Sequence, residues 1–199
     1  MKNTKKCKHQ WAPLMAQVGK KNVPTSLLTC LKCGEMKVGK HTIRISKYRL
    51  DMGGLPITNI GGIALAATLS GDGTYSGITI TGTAGATLSF GDLCYLNNDD
   101  SRWELADANL SDGYDAMLGI CVLAGNDGDA TRMLLFGNVR ADTAFPSLTI
   151  GKPAYISETA GDIVVSAPTT ADVCVRIVGY ALTADELFFN PEKTVVIHT

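Results

Sequence analysis

The sequence predicts a mainly β chain in three parts: a small zinc ribbon or knuckle, an extended linker strand, and a compact C-terminal β-barrel or sandwich. Three observations carry that prediction. Charged residues are 19% and aromatics 7%, both low, against 21 Gly and runs rich in Thr, Ala, Val, Ile and Leu, the composition of short strands joined by tight turns. Charge is divided unevenly: residues 1–50 hold ten Lys and two Arg against Glu35 alone, a net of +11, so the rest carries −12 of a total of −1. From Gly91 onward one strand–turn–strand pattern occurs twice, sixty residues apart. Together these divide the 199 residues into a head at 1–47, a linking segment at 48–84 and a body at 85–199.

The head reads CKHQW and, after a gap of twenty residues from His9, CLKCG. Cys7, His9, Cys30 and Cys33 form two close-spaced ligand pairs. In the second pair Gly34 lets the chain fold under a metal, so that backbone N–H groups face the thiolates. Four N/S ligands with none to spare suit a closed, structural Zn²⁺ site. A head of about 50 residues with few large apolar side chains needs such a clip to fold. The competing reading makes CxxC a redox pair and Cys7 and His9 incidental, but a redox CxxC wants a βαβ context, and none follows. Trp11 is expected to pack over the site, and His41 to lie on the surface of a strand His41–Ser46.

The next stretch, Tyr48 to Gly62, reads YRLDMGGLPITNIGG. It is too short and too rich in glycine for a helix, yet Leu50, Met52, Leu55, Ile57 and Ile60 are spaced as if for burial. An extended segment of this kind can bury its apolar side about a threefold axis against copies of itself, and that is the expectation for these five residues. The alternative is a linker strand lying on its own body.

In the body, GDLCYL, the turn NNDDS and RWELADA are matched by GKPAYI, SETAGD and IVVSAP. Gly91 and Gly151, Tyr95 and Tyr155, Gly119 and Gly179, Ala124 and Ala184 all keep the same offset of sixty. A unit used twice, each a hairpin plus two further strands, predicts a barrel or sandwich with an internal two-fold repeat. Met117–Leu123 and Val173–Tyr180 read as buried central strands. Cys94, Cys121 and Cys174, each inside an apolar strand-like run, read as small core hydrophobes.

Little in the body reads as chemistry. Its one histidine is His198, so no Ser-His-Asp or Cys-His arrangement can form without the head. The frequent Asp residues sit in turn contexts such as NNDD and GNDGD, where they cap their own backbone. Asn126, Asp127 and Asp129 are a candidate for weak Ca²⁺, with an ordinary turn the favoured reading. TGTAGAT lies between strands and lacks the Lys of a phosphate loop. The expectation is a non-enzymatic protein.

Two stretches resemble known families. RLDMGGLPITNIG resembles a segment of tailed-bacteriophage fibre proteins in which three chains wind together before a C-terminal head; Leu50-Asp51-Met52, Gly54 and Ile57-Thr58-Asn59-Ile60 match. The Pro and helix that usually follow are missing here. The run GDLCYLNNDDSRWELADA, with LGICVLAGNDGDATRMLLFGNVRA, looks like the small β-barrel of phage head-decoration (cement) proteins, and covers roughly Gly85 to Val196. That resemblance implies a virion structural protein, often trimeric, bound to the outer face of a capsid or projecting from it.

The expected function is therefore a homotrimeric capsid decoration or head-fibre protein. Its zinc head docks on the major capsid protein or another virion protein, and the acidic body faces outward. A tail-fibre or tail-adaptor protein shares every feature and differs in where the head docks. A zinc-ribbon nucleic-acid binder is the reading of a different class, in which Lys2, Lys5, Lys6, Lys8, Lys20, Lys21, Lys32, Lys37 and Lys40 contact phosphates. It predicts salt-sensitive binding by residues 1–50. Met1 to Gln10 is nearly all polar and no run approaches the ~20 apolar residues of a membrane span. A soluble protein, made in a host cytoplasm and ending in the virion, with no membrane partner, is expected.

Overall fold

A computed structural model of the chain describes residues 64–109 and 115–199 in full. Before them it describes Gln10 and the backbone of five strands between Trp11 and Asp51. Contacts divide the chain into two units, Met1–Ile63 and Ala64–Thr199.

The first unit is an antiparallel meander of β1 (Trp11–Val18), β2 (Lys21–Cys30), β3 (Met36–Val38), β4 (His41–Ser46) and β5 (Arg49–Asp51), each pairing with the next. Two prolines shape it. Pro13 lies in the edge strand β1, beside a shift in register between Pro13 and Met15. Pro24 lies opposite Met15, in the part of β2 that β3 leaves uncovered, because β3 pairs only with Leu27–Thr29. Neither residue removes a donor that a second strand needs.

The second unit is mainly β, with a curled half-barrel sheet of nine strands. These are β6 (Thr74–Thr83), β7 (Leu93–Leu96), β8 (Trp103–Leu105), β9 (Leu118–Leu123), β10 (Ala130–Arg140), β11 (Pro153–Ile156), β12 (Ile163–Val164), β14 (Ile177–Ala181) and β15 (Glu186–Phe189). Between them, β13 (Cys174–Val175) pairs with β16 (Val196–Ile197) in a separate two-stranded sheet. The nine-stranded sheet runs in the order β12-β11-β14-β15-β10-β9-β7-β8, with β6 added on β10. Gly91 N–H donates to the Cys121 carbonyl and Cys121 N–H to Asp92; sixty residues on, Gly151 N–H donates to Ala181 and Ala181 N–H to Lys152. Gly91 and Gly151 both have positive φ, +97° and +74°, which a glycine adopts without strain in each turn.

β10 is where the sheet divides. It pairs with β6 over 130–140, with β9 at Arg132–Leu134 and with β15 at Gly137–Arg140. A strand has two hydrogen-bonding edges, so β9 and β15 share the edge that β6 leaves. The curl brings residues flanking the ends of the sheet together. Leu93 N–H donates to Gly161, Gly161 N–H to Ala106, and Ala108 N–H to Ser157.

The concave side holds the larger core, including Leu93, Ile120, Leu134, Val139, Ile156, Val178, Leu187 and Phe189. A second, smaller core of Ala84, Leu88, Cys94, Trp103, Cys121 and Met133 covers the other face of β7, β9 and β10. β7 and β9 are therefore buried on both faces, which explains why LGICVL reads as a continuous apolar run rather than an alternating one. VCVRIVGY, expected as one strand, is broken at Arg176. That residue is 7% exposed, and its guanidinium donates to the carbonyls of Glu192 and Ala116. Turning Arg176 inward to these acceptors separates β13 from β14.

The chain enters the body as a strap over β6, β10 and β15. Asn138 Nδ2 donates to the Ala66 carbonyl at 2.9 Å, and Ala66 N–H to Ser76 Oγ at 2.9 Å. Leu69 N–H donates to Glu186 Oε1 at 3.2 Å, and Leu69 itself is buried. Glu186, 3% exposed, also has the Arg140 guanidinium 4.0 Å away. A buried carboxylate with a donor and a cation beside it is tolerated where a lone one is not.

Candidate functional site

Of the four expected zinc ligands, Cys30 ends β2, and its Cα lies opposite that of Trp11 across the β1–β2 ladder. Cys7, His9 and Cys33 lie outside the described residues. Among the described residues, no three His, Cys, Asp or Glu side chains gather to hold a metal ion. Of the expected self-association residues, Leu50 lies in β5, opposite Ile45 of β4. Met52, Leu55, Ile57 and Ile60 lie outside the described residues. β6, which falls within 48–84, is a strand of the body sheet.

Cys94, Cys121 and Cys174 are free thiols and fully buried. Burial pushes the Cys94 thiol well above its ordinary range and raises that of Cys174 to about 11, which keeps both protonated and unreactive at neutral pH. The carboxylates of the turns are engaged locally. Asp129 Oδ2 accepts from the backbone and side-chain N–H of Asn126, and Asp127 Oδ1 takes the Arg102 guanidinium at 2.9 Å. These are turn and ion-pair roles.

A cleft of about 420 Å³ lies between Leu96, Asn97, Asn98, Ser101, Asp115, Ala116 and Met117. Its polar groups are partly committed: Asn97 Nδ2 donates to Glu104 Oε1, and Asn97 Oδ1 accepts from Asp99 N–H. Residues 110–114, next to Asp115 in the chain, lie outside the described residues.

The feature of the body that sequence reasoning missed is an exposed apolar ridge on β6 and its neighbours. Ile78 is 63% exposed, Ile80 44% and Phe136 38%. Ile78 stands opposite Phe136 in the β6–β10 ladder. Phe136 in turn meets the ring of Phe188 edge to face, with centroids 5.2 Å apart. Beside this ridge the outer edge of β6 pairs with no strand among the described residues. The sequence did hold a signal: TYSGITITGT is a ten-residue strand with no charge and no proline, the residues that ordinarily protect an open edge.

No protein-family model matches the chain, and no curated protein matches it either.

Proposed function

We propose that the chain is a non-enzymatic structural component of a tailed-phage virion, a trimeric capsid decoration or head-fibre protein. In this reading Cys7, His9, Cys30 and Cys33 hold a structural Zn²⁺ in a ribbon-like head that docks on the major capsid protein or another virion protein. Leu50, Met52, Leu55, Ile57 and Ile60 join three chains, and the acidic body faces outward.

The observation that carries the reading lies in the body, where the resemblance to decoration proteins falls. The strand order reads alike from either end: β8-β7-β9 stands against β12-β11-β14 at a sequence offset of about sixty, and β10 stands against β15 without keeping that offset. The matched hydrogen bonds at Gly91 and Gly151 support the same correspondence. A curled half-barrel sheet, with its polar turns engaged in their own caps and ion pairs, suits a protein whose task is to hold a shape and cover a surface.

Charge supports the polarity. A basic head is steered to an acidic surface, while net negative bodies keep their distance from one another except at uncharged seams.

The test is antibody labelling of intact particles with a serum against the body. Label on the head shell is the expected result. Label on the tail selects the tail-fibre or adaptor reading, and absence from purified particles overturns both.

A further inference from the structure

We propose that β6 pairs antiparallel with the β6 of a second copy of this chain, about a two-fold axis through Thr79, joining two bodies into one continuous sheet. This contact is separate from the segment Leu50–Ile60 and does not depend on the zinc head.

Among the described residues the outer edge of β6 is open. β6 pairs with β10 along its whole length, and no strand among the described residues takes its other side. Alternate residues along this ten-residue strand then direct their N–H and C=O groups to the outer edge, beside exposed Ile78 and Ile80. Natural sheets guard such edges with Lys, Pro, bulges or a covering loop. β6 itself holds no Lys and no Pro.

Charge selects the partner. The body has six Lys and Arg against seventeen Asp and Glu, a net of −11 over residues 64–199. Between residues 52 and 91 the one charge is Asp72. β6 itself carries no charged side chain, and the Arg132 guanidinium beside it is bonded to the Tyr75 hydroxyl. Two acidic bodies meet with least repulsion along this charge-free strand, and the match of uncharged edge to uncharged edge is best met by the strand itself.

The side chains favour this register, the one that sets both isoleucines of each copy against isoleucines of the other. With Thr79 opposite itself, Ile78 faces Ile80 of the second copy and Ile80 faces Ile78, so all four isoleucines lie on one face and extend the ridge that holds Phe136 and Phe188. A slip of one residue would place the two isoleucine rows on opposite faces of the sheet. The pairing is isologous, as a two-fold contact requires.

The test uses the full-length chain with Thr79→Cys and, separately, Thr83→Cys, under mild oxidation and non-reducing electrophoresis. Opposed Cα atoms of an antiparallel pair lie about 4.5–5.5 Å apart, within disulfide reach. Thr79→Cys is expected to give a covalent two-chain species, and Thr83→Cys, whose partner is Tyr75 of the other copy, to give none. Native mass of Ile78→Lys should show at least a tenfold weaker two-chain association, with the body's unfolding midpoint unchanged because the side chain is exposed. Equal cross-linking at both positions, or none at Thr79, overturns the proposal. A three-chain mass without a Thr79 cross-link overturns it while leaving the trimerisation of the 50–60 segment intact.

Discussion

Gly77 and Gly137 stand opposite each other where β6 meets β10, and neither position has room for a Cβ. One built on Gly77 would strike the Phe136 carbonyl, and one on Gly137 the carbonyl of Ser76. Gly137 also has a φ of +138° and follows the register shift between Leu134 and Phe136. At this point β10 passes from β9 to β15 while keeping β6 on its other edge, so two backbones are pressed together at a bend.

Gly137→Ala and Gly77→Ala are both expected to destabilise the body by about 2–5 kcal/mol, combining backbone strain with overpacking against a neighbouring strand. Because Gly77 has an ordinary φ and Gly137 does not, Gly137→Ala should cost more. Denaturant midpoints of the two variants check this, and an unchanged midpoint for Gly137→Ala would contradict the account of the bend.

Glu186 anchors the strap. Glu186→Ala leaves the buried Leu69 N–H without its acceptor and removes a carboxylate 4.0 Å from the Arg140 guanidinium, which keeps its bonds to Asp142, for an expected loss of about 1–3 kcal/mol. Hydrogen exchange should show Leu69 losing protection while Val139 and Leu187 keep theirs. Equal loss at all three would mean that Glu186 supports the whole core rather than the strap.

The pH dependence has two parts of opposite sign. Burial raises the Asp92 carboxyl above its ordinary value, against the Ser89 N–H that lowers it, with Asp162 adding to the rise. Its folded form therefore holds a proton to higher pH than its unfolded form. Its contribution to stability is full below the ordinary carboxylate range and lost as pH rises through the raised value. Asp92→Asn keeps an acceptor for Ser89 N–H, so it should be more stable than the parent at pH 7 and equal to it at pH 3. Asp142, held low by its hydrogen bond to and the charge of Arg140, works the other way and loses its contribution as pH falls. Urea midpoints of Asp92→Asn and the parent at the two pH values decide the Asp92 part.

Metal analysis of the purified chain is expected to give about one zinc per chain, as a closed four-ligand site requires. Cys30→Ser should release the metal and unfold the head while the body retains its cooperative transition. Full zinc loading after that substitution would remove Cys30 from the ligand set.

Several elements were legible before any coordinates. Strand His41–Ser46 matches β4, and the hairpins GDLCYL/RWEL and GKPAYI/IVV match β7–β8 and β11–β12, because turn residues and short β-rich runs are local signals. The break of VCVRIVGY at Arg176 was not legible. Its cause is two carbonyls, at Ala116 and Glu192, brought beside the guanidinium by the fold.

The sequence alone determined the β class, the burial of Cys94, Cys121 and Cys174, and the offset of sixty that the matched turns keep, since composition, apolar runs and glycine spacing are written along the chain. Only the tertiary structure decided which strand β10 touches at each point, that Glu186 and Asn138 hold the entering strap, and that Ile78, Ile80 and Phe136 face outward. Those facts depend on pairings between residues far apart in sequence. A one-residue change of register would have turned the same isoleucines inward.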